Sequence, residues 1–261
     1  MKTFISPESW FLIEYPDAWF EFEDEPDAFL FYNPDEWNGN FRISAYRGET
    51  GAFGRQCLAD ELTRQGARRV RVGSWDAVLT TERFSEDGEK FLSVCWTIDV
   101  AQTCVECSFT TLDGASIEPA ERVLASLQVN PVGKYFPHWI IDVRLMEISA
   151  IEDATTKMEA LAKKVLKARF GDLQQGLDVL QKLSASSELR RMGREGSVLL
   201  GMTLCALVAE NVEGFEWRTL VDGRNEQPVL VSAGGDVTNP FTLFNLAKGE
   251  VNVQSVFEAV V

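Results

Sequence analysis

The chain has 261 residues, 45% of them hydrophobic and 11% aromatic, enough for one or two packed domains and too apolar for disorder. Forty acids against 25 bases give a net charge of −15, which disfavours nucleic acid and anionic membrane surfaces as partners. No stretch reaches the ~20 apolar residues a spanning helix needs, and Pro7 and Glu8 stand where a secretory signal would be apolar.

Residues 1–130 read mainly as strands. Residues 10–15 form a short apolar run closed by the turn signal Pro16-Asp17. Phe20-Glu21-Phe22-Glu23 alternates, one face aromatic and one face acidic, as a half-buried strand does. Strands follow over 28–32 and 40–46, separated by Asn33-Pro34-Asp35 and Asn38-Gly39. Phe53, Cys57, Leu58, Glu61 and Leu62 are spaced for a helix that Gly66 ends. Strands over 69–72 and 75–81 flank Gly73-Ser74.

The next hairpin can be read in register. With Ala101-Gln102 as a two-residue loop, Val100 faces Thr103, Ile98 faces Val105, Trp96 faces Cys107 and Val94 faces Phe109. The large apolar residues then share one face, and a one-residue slip would scatter them. Residues 117–127 read as a closing helix capped by Ser116 or Asp113, with Val123, Leu124 and Leu127 inward.

Pro131, Gly133 and Pro137 mark 131–139 as a linker, leaving a first domain over 1–130 and a second over 140–261. The second is helical at first. Ile148, Ile151, Met158, Leu161, Val165 and Leu166 lie on one stripe, and Gly171 stops it. Leu173, Leu177 and Leu180 give a shorter helix. A third opens at Ser186 and carries Leu189, Met192, Leu199, Leu200, Leu204 and Leu207, with Gly193, Gly196 and Gly201 kept for close packing. A hairpin of 215–221 and 228–232 follows, and 240–247 is expected as a last helix. The fold class is α+β.

The order of elements over residues 5–130 resembles the PsbP-like fold. Tyr15-Pro16-Asp17-Ala18-Trp19, the run Gly39-Asn40-Phe41-Arg42-Ile43-Ser44-Ala45-Tyr46 and Val123-Leu124-Ala125-Ser126-Leu127 carry the resemblance. It implies an α/β/α sandwich around an antiparallel sheet. Because proteins of that fold mainly bind other molecules, it also implies a binding role. Residues 140–261 resemble a bacterial domain family of unknown function through Glu195-Gly196, Leu200-Gly201, Glu216-Trp217, Val221-Asp222-Gly223 and Asn239-Pro240-Phe241. The pairing of the two resembles two-domain proteins of the Bacteroidetes type.

Chemistry-bearing motifs are sparse. His138 is the single histidine, and no Gly-x-Ser-x-Gly elbow accompanies it. Cys104-Val105-Glu106-Cys107 has C-x-x-C spacing but falls on a strand, where residues three apart point to opposite faces about 10 Å apart. A disulfide needs Cα atoms within about 7 Å, so this pair is read neither as a redox couple nor as a zinc site. Cys57, Cys95, Cys104, Cys107 and Cys205 are expected as free thiols in a reducing, cytoplasmic compartment. Phosphate-binding glycine loops are missing, and Glu23-Asp24-Glu25-Pro26-Asp27 lacks the EF-hand spacing. No catalytic residue, cofactor or metal is therefore assigned.

Charge is the strongest remaining signal. Residues 1–40 carry ten acids against one base, Lys2, a patch suited to steering a basic protein. Glu21, Glu23, Asp24, Glu25, Asp27, Asp35, Glu36 and Trp37 are the expected contact residues, Trp37 because it is an aromatic on a polar loop. The expected function is a non-catalytic protein-binding module of adaptor, chaperone or immunity type. The rivals are a hydrolase with paired carboxylates between the domains and a self-associating structural protein. The sequence leaves the oligomeric state open.

Overall fold

The computed structural model describes residues 1–25 and 28–261, and the side chains of all but 23–25 among them. It is an α+β chain of two units, Met1–Ile141 with Val221–Asn225, and Asp142–Leu220 with Glu226–Val261. Among the described residues no helix is long and apolar enough to cross a membrane.

In the first unit β1 (Lys2–Ile5) and β2 (Phe11–Tyr15) pair antiparallel, with Phe4 opposite Ile13. Then come β3 (Phe20–Glu25), β4 (Ala28–Tyr32), β5 (Asn40–Arg47), helix α1 (Phe53–Glu61), β6 (Arg68–Val72), β7 (Trp75–Glu86), β8 (Glu89–Val100) and β9 (Thr103–Leu112). Helix α2 (Glu118–Ser126) and the short β10 (Gln128–Val129) close the unit, with β10 paired to β2. Seven strands make one antiparallel sheet in the order β3-β4-β5-β9-β8-β7-β6.

The β8–β9 register is the one the apolar pattern demands: Ile98 opposite Val105, Trp96 opposite Cys107, Val94 opposite Phe109. The same parity passes to the neighbouring strands, through Phe109 to Phe41 and on to Phe31, and through Trp96 to Leu79. These side chains form the inner face of the sheet. They are buried together with Phe4, Phe11, Ile13 and Trp19 and with Ala120, Val123, Leu124 and Leu127 at α2. Ser116 Oγ accepts the Glu118 N–H at 3.2 Å at the start of α2.

Two expectations in this unit are corrected. In β3, Glu21 is opposite the buried Phe31 and so shares the inner face, while Phe20 and Phe22 lie on the other. Phe20 is exposed under the Lys2 ammonium, and Phe22 stacks on Tyr32 with ring centroids 4.2 Å apart. An edge strand has fewer neighbours to bury its side chains, so alternation there does not say which face is inward. The strand expected over 75–81 runs on to Glu86 and returns as β8 from Glu89, around Asp87 (φ 48°) and Gly88 (φ 87°). Residues 81–90 are exposed, so no apolar pattern marked them.

The rest of the chain gives β11 (Trp139–Asp142), α3 (Leu145–Val165), α4 (Leu173–Ala185), α5 (Ser187–Arg191) and α6 (Arg194–Asn211). Next come β12 (Phe215–Asp222), β13 (Asn225–Ser232), β14 (Val237–Thr238) and α7 (Val253–Val260). The core of the second unit gathers Met158 and Ala162 of α3, Leu180 and Leu183 of α4, and Leu200 and Leu204 of α6. A Cβ on Gly201 would lie 2.0 Å from the Pro240 carbonyl oxygen, so glycine is what lets that loop lie against α6.

Two further expectations fail here. The third helix is broken into α5 and α6, because Gly193 takes φ 59° and interrupts the ladder. The helix expected over 240–247 is absent. Turns and the start of a short 3₁₀ helix (Leu246–Lys248) occupy that stretch, and the last α-helix is α7, opened by Asn252 Oδ1 accepting the Ser255 N–H at 3.0 Å. Pro240 and the turn-forming Asn239 Oδ1, which accepts from Phe241 N–H, outweigh the apolar spacing.

The β8–β9 turn yields a stability prediction. Ala101 has φ 57°, a region costly for a residue with a Cβ, and Asp99 Oδ1 accepts its N–H at 2.9 Å. Ala101→Gly should raise stability by about 0.5–1 kcal/mol, the relieved strain exceeding the added chain entropy. Urea unfolding should show a higher midpoint with an unchanged slope.

Candidate functional site

The seven-stranded sheet has a second, outer face, and α1 covers only part of it. Beyond α1 the alternating residues are Arg42, Ser44 and Tyr46 of β5, Glu106, Ser108 and Thr110 of β9, and Ser93, Cys95 and Thr97 of β8. Polar side chains stand where an apolar layer would need hydrophobic ones, so this face is not built to be covered by a core. A polar cleft of about 290 Å³ lies there, walled on one side by Glu61 at the end of α1 and by Arg64 in the turn that follows it.

Arg64 folds back to pair with Glu61 at 3.1 Å. The Glu106 carboxyl is held above the usual glutamate range, first by loss of water and then by repulsion from Glu61, with Arg64 opposing. Two carboxylates with different environments thus meet in one cleft of the first unit.

Farther along the same face the character changes. Phe84 is opposite Phe91, and Phe91 is opposite Leu112. Phe84 and Phe91 stack with centroids 5.4 Å apart, and Trp37 meets Phe91 edge-on at 6.1 Å. Trp37 is 41% exposed, Leu112 40% and Phe84 37%. The Trp37 loop is tied down by Thr111 Oγ1, which donates to the Asn38 carbonyl at 3.1 Å, and by Asn33 Oδ1, which accepts the Asp35 N–H at 3.0 Å. Exposed Asp35, Glu36, Glu82, Glu86, Asp87 and Glu89 belong to the loop and the hairpin that carry these aromatics, together with exposed Lys90 and with Arg83 paired to Asp113 at 3.1 Å.

The structure thus joins Asp35, Glu36 and Trp37, three of the expected contact residues, to an aromatic cluster. Glu21 is half-buried on the inner-face side of an edge strand. Glu23, Asp24 and Glu25 belong to β3, their side chains outside the described ones, and Asp27 lies outside the described residues. Phe84 and Phe91 were not anticipated. The Asp87-Gly88 pair between them is a strong hairpin signal and could have located them.

The second unit holds a different constellation. Arg144, 3% exposed, is ion-paired to Glu226 and lies 3.6 Å from Glu147, itself 7% exposed. Thr219 Oγ1 accepts the Arg144 N–H at 3.1 Å. Burial raises the Glu147 carboxyl above its ordinary range, while Arg144 pulls it back. Arg218 bridges Asp142 and Glu216 nearby. One guanidinium between two carboxylates is a buried charge network that fixes the start of α3 against β12 and β13. An apolar groove of about 510 Å³ also runs between α3 and α6, past Ala154, Leu199, Met202 and Phe241.

His138 is exposed. Cys104 lies on the outer face of β9 and Cys107 on the inner, as strand geometry requires. Among the described residues no group of three or more His, Cys, Asp and Glu is placed to hold a metal ion.

Comparison with known proteins gives two family matches. Residues 1–152 match the model described as Domain of unknown function (DUF3805), and residues 176–247 match Domain of unknown function (DUF3806). A crystal structure from Bacteroides thetaiotaomicron VPI-5482 is 35% identical, covering 99% of this chain and 97% of that one, with a TM-score of 0.94. LpqN of Mycobacterium tuberculosis, involved in cell envelope biogenesis, is 12% identical over 46% of this chain and 83% of that one, with a TM-score of 0.35. No curated protein matches.

The Arg144 network makes a testable claim. Arg144→Ala should cost the second unit about 3–5 kcal/mol, because two carboxylates then lose their buried counter-charge. The folded-state pKa of Glu147 is already raised, so its contribution favours the fold at low pH and is lost as pH rises through that raised value. Without Arg144 the loss deepens. The variant's deficit should therefore be larger at pH 8 than at pH 5 in denaturant unfolding.

Proposed function

We propose, for a chain that belongs to the DUF3805 domain family through residues 1–152, a non-catalytic protein-binding module of adaptor, chaperone or immunity type. Its contact surface is the acidic, aromatic end of the outer sheet face, and its partner is a basic protein. The observation that carries this reading is Trp37, 41% exposed on an acidic loop and set against Phe91 beside exposed Phe84 and Leu112. Large apolar side chains grouped in water and rimmed by charge are typical of interaction sites. Aromatic anchors of this kind supply most of the affinity in measured interfaces. The surrounding carboxylates speed encounter with a basic partner and reject acidic ones.

The PsbP-like resemblance belongs to the same reading. What supports it is an antiparallel sheet with α1 on one face and α2 on the other. A cytoplasmic setting belongs to it too, supported by five thiols that are all free. The acidic stretch 21–27 contributes long-range attraction in this reading.

The rival reading, hydrolysis by paired carboxylates, draws on Glu61 and Glu106. One carboxylate paired with an arginine and another held towards its acid form is the kind of division that acid–base catalysis uses. Glu106→Gln separates the two, since it removes the acid of the rival reading and leaves the Trp37 surface intact.

Capture of the tagged protein's partner from a lysate of its own source tests the proposal. The wild type should retain one near-stoichiometric basic protein that high salt releases. Trp37→Ala should cut retention about 30-fold, the equivalent of ~2 kcal/mol. The double change Asp35→Lys and Glu36→Lys should shift release to lower salt. Equal retention by both variants would overturn the placement of the surface.

A further inference from the structure

We propose that Cys57 and Cys104 are an oxidation site, forming a reversible disulfide that ties α1 to β9. Helix α1 approaches the sheet unusually closely at its start. A Cβ on Gly54 would lie 2.4 Å from Asp99 Oδ1 and 2.9 Å from the Thr103 carbonyl oxygen, and the Gly54 N–H donates to the Ala101 carbonyl at 2.9 Å. Three residues on, Cys57 returns to the same side of the helix. Facing it on the outer side of β9 is Cys104, next to Thr103, and after burial the neighbouring Cys57 thiol is the next cause that pushes the Cys104 thiol up. The pair joins a helix to a strand, so the separation that bars Cys104 from bridging Cys107 does not apply.

Exposure assigns the order of events. Cys57 is half-buried and Cys104 fully buried. Burial holds the Cys104 thiol protonated, so Cys57 is the sulfur that a solvent oxidant meets. With a small disulfide such as oxidised glutathione, the Cys57 thiolate attacks one sulfur and expels one glutathione thiolate, leaving a mixed disulfide. Cys104 then attacks the Cys57 sulfur. Its proton passes to the departing second glutathione thiolate. Two protein thiols and one glutathione disulfide become one protein disulfide and two glutathione thiols.

The consequence reaches the cleft. Glu61, the last residue of α1, lies one helical turn beyond Cys57, Arg64 follows in the turn after the helix, and both wall the polar cleft next to Glu106. The disulfide pins that wall to the sheet, and reduction frees it. Two of the remaining cysteines do not compete: Cys107 is in the core on the opposite face, and Cys205 is buried among Val208 and Leu230. Cys95 lies on the outer face of β8 in the cleft itself, and the peptide map separates it from Cys104.

The test is to equilibrate the folded protein with glutathione buffers of graded redox ratio, quench with an alkylating agent, and map the peptides without reduction. The expected result is a single Cys57–Cys104 linked peptide, loss of two of the five thiols from titration, and recovery with dithiothreitol. The melting temperature should rise on oxidation in the wild type and not in Cys57→Ser. Five alkylatable thiols at every ratio would overturn the proposal. So would a stable glutathione adduct on Cys57 or a link from Cys57 to Cys95. The wild-type map decides the matter even where a serine variant folds poorly.

Discussion

A two-residue turn at Ala101-Gln102 holds β8 and β9 in the one register that puts Val94, Trp96 and Ile98 on the same side as Val105, Cys107 and Phe109. Much else in the first unit follows from that pairing. Side chains alternate with a period of two, so fixing one pair fixes the parity of every strand hydrogen-bonded outward from it. Phe41 and Ile43 are set by β9, Phe29 and Phe31 by β5, and Ala77 and Leu79 by β8. The inner face is buried, so a slip by one residue would move Trp96 and Phe109 into water, at about 1.5–3 kcal/mol per large side chain. The outer face inherits the remaining residues: hydroxyls, Glu106, Arg42, and the exposed aromatics near Trp37.

What was legible in the sequence was the part governed by burial. The β8–β9 register, α1, α2 and the stripe of α3 each have apolar residues at the period of the element, because a core lies on one side. The exposed half of the β7–β8 hairpin has no such pattern, since nothing buries Glu82 to Lys90. Only its Asp87-Gly88 turn could mark it. β3 shows the opposite failure: Phe20-Glu21-Phe22-Glu23 alternates cleanly, yet at a sheet edge the aromatic side faces outward. Local backbone chemistry accounts for the helix misreadings, since Gly193 at φ 59° divides α5 from α6 and Pro240 with Asn239 replaces a helix by turns.

The candidate site was half legible for the same reason. Asp35, Glu36 and Trp37 lie together in the chain, so composition alone could single them out. Phe84, Phe91 and Leu112 belong to three different strands and become neighbours only through the register. The Glu61–Glu106 pair likewise needs a helix and a strand to meet. In the second unit, Arg144, Glu147 and Glu226 are drawn together by the fold. Their burial makes them a fixed charge network, in contrast to the carboxylates that line the open cleft.

The first unit therefore spends one sheet face on its core and leaves the part of the other beyond α1 open, ending in exposed aromatics on an acidic loop and hairpin. Hydroxyl-radical footprinting of the free protein and of its complex with the captured partner measures this most directly. The predicted result is oxidation of Trp37, Phe84 and Phe91 in the free protein and their protection in the complex, with Trp19 and Trp96 protected in both. Protection of those three residues before any partner is added, or protection in the complex confined to other surfaces, would contradict it.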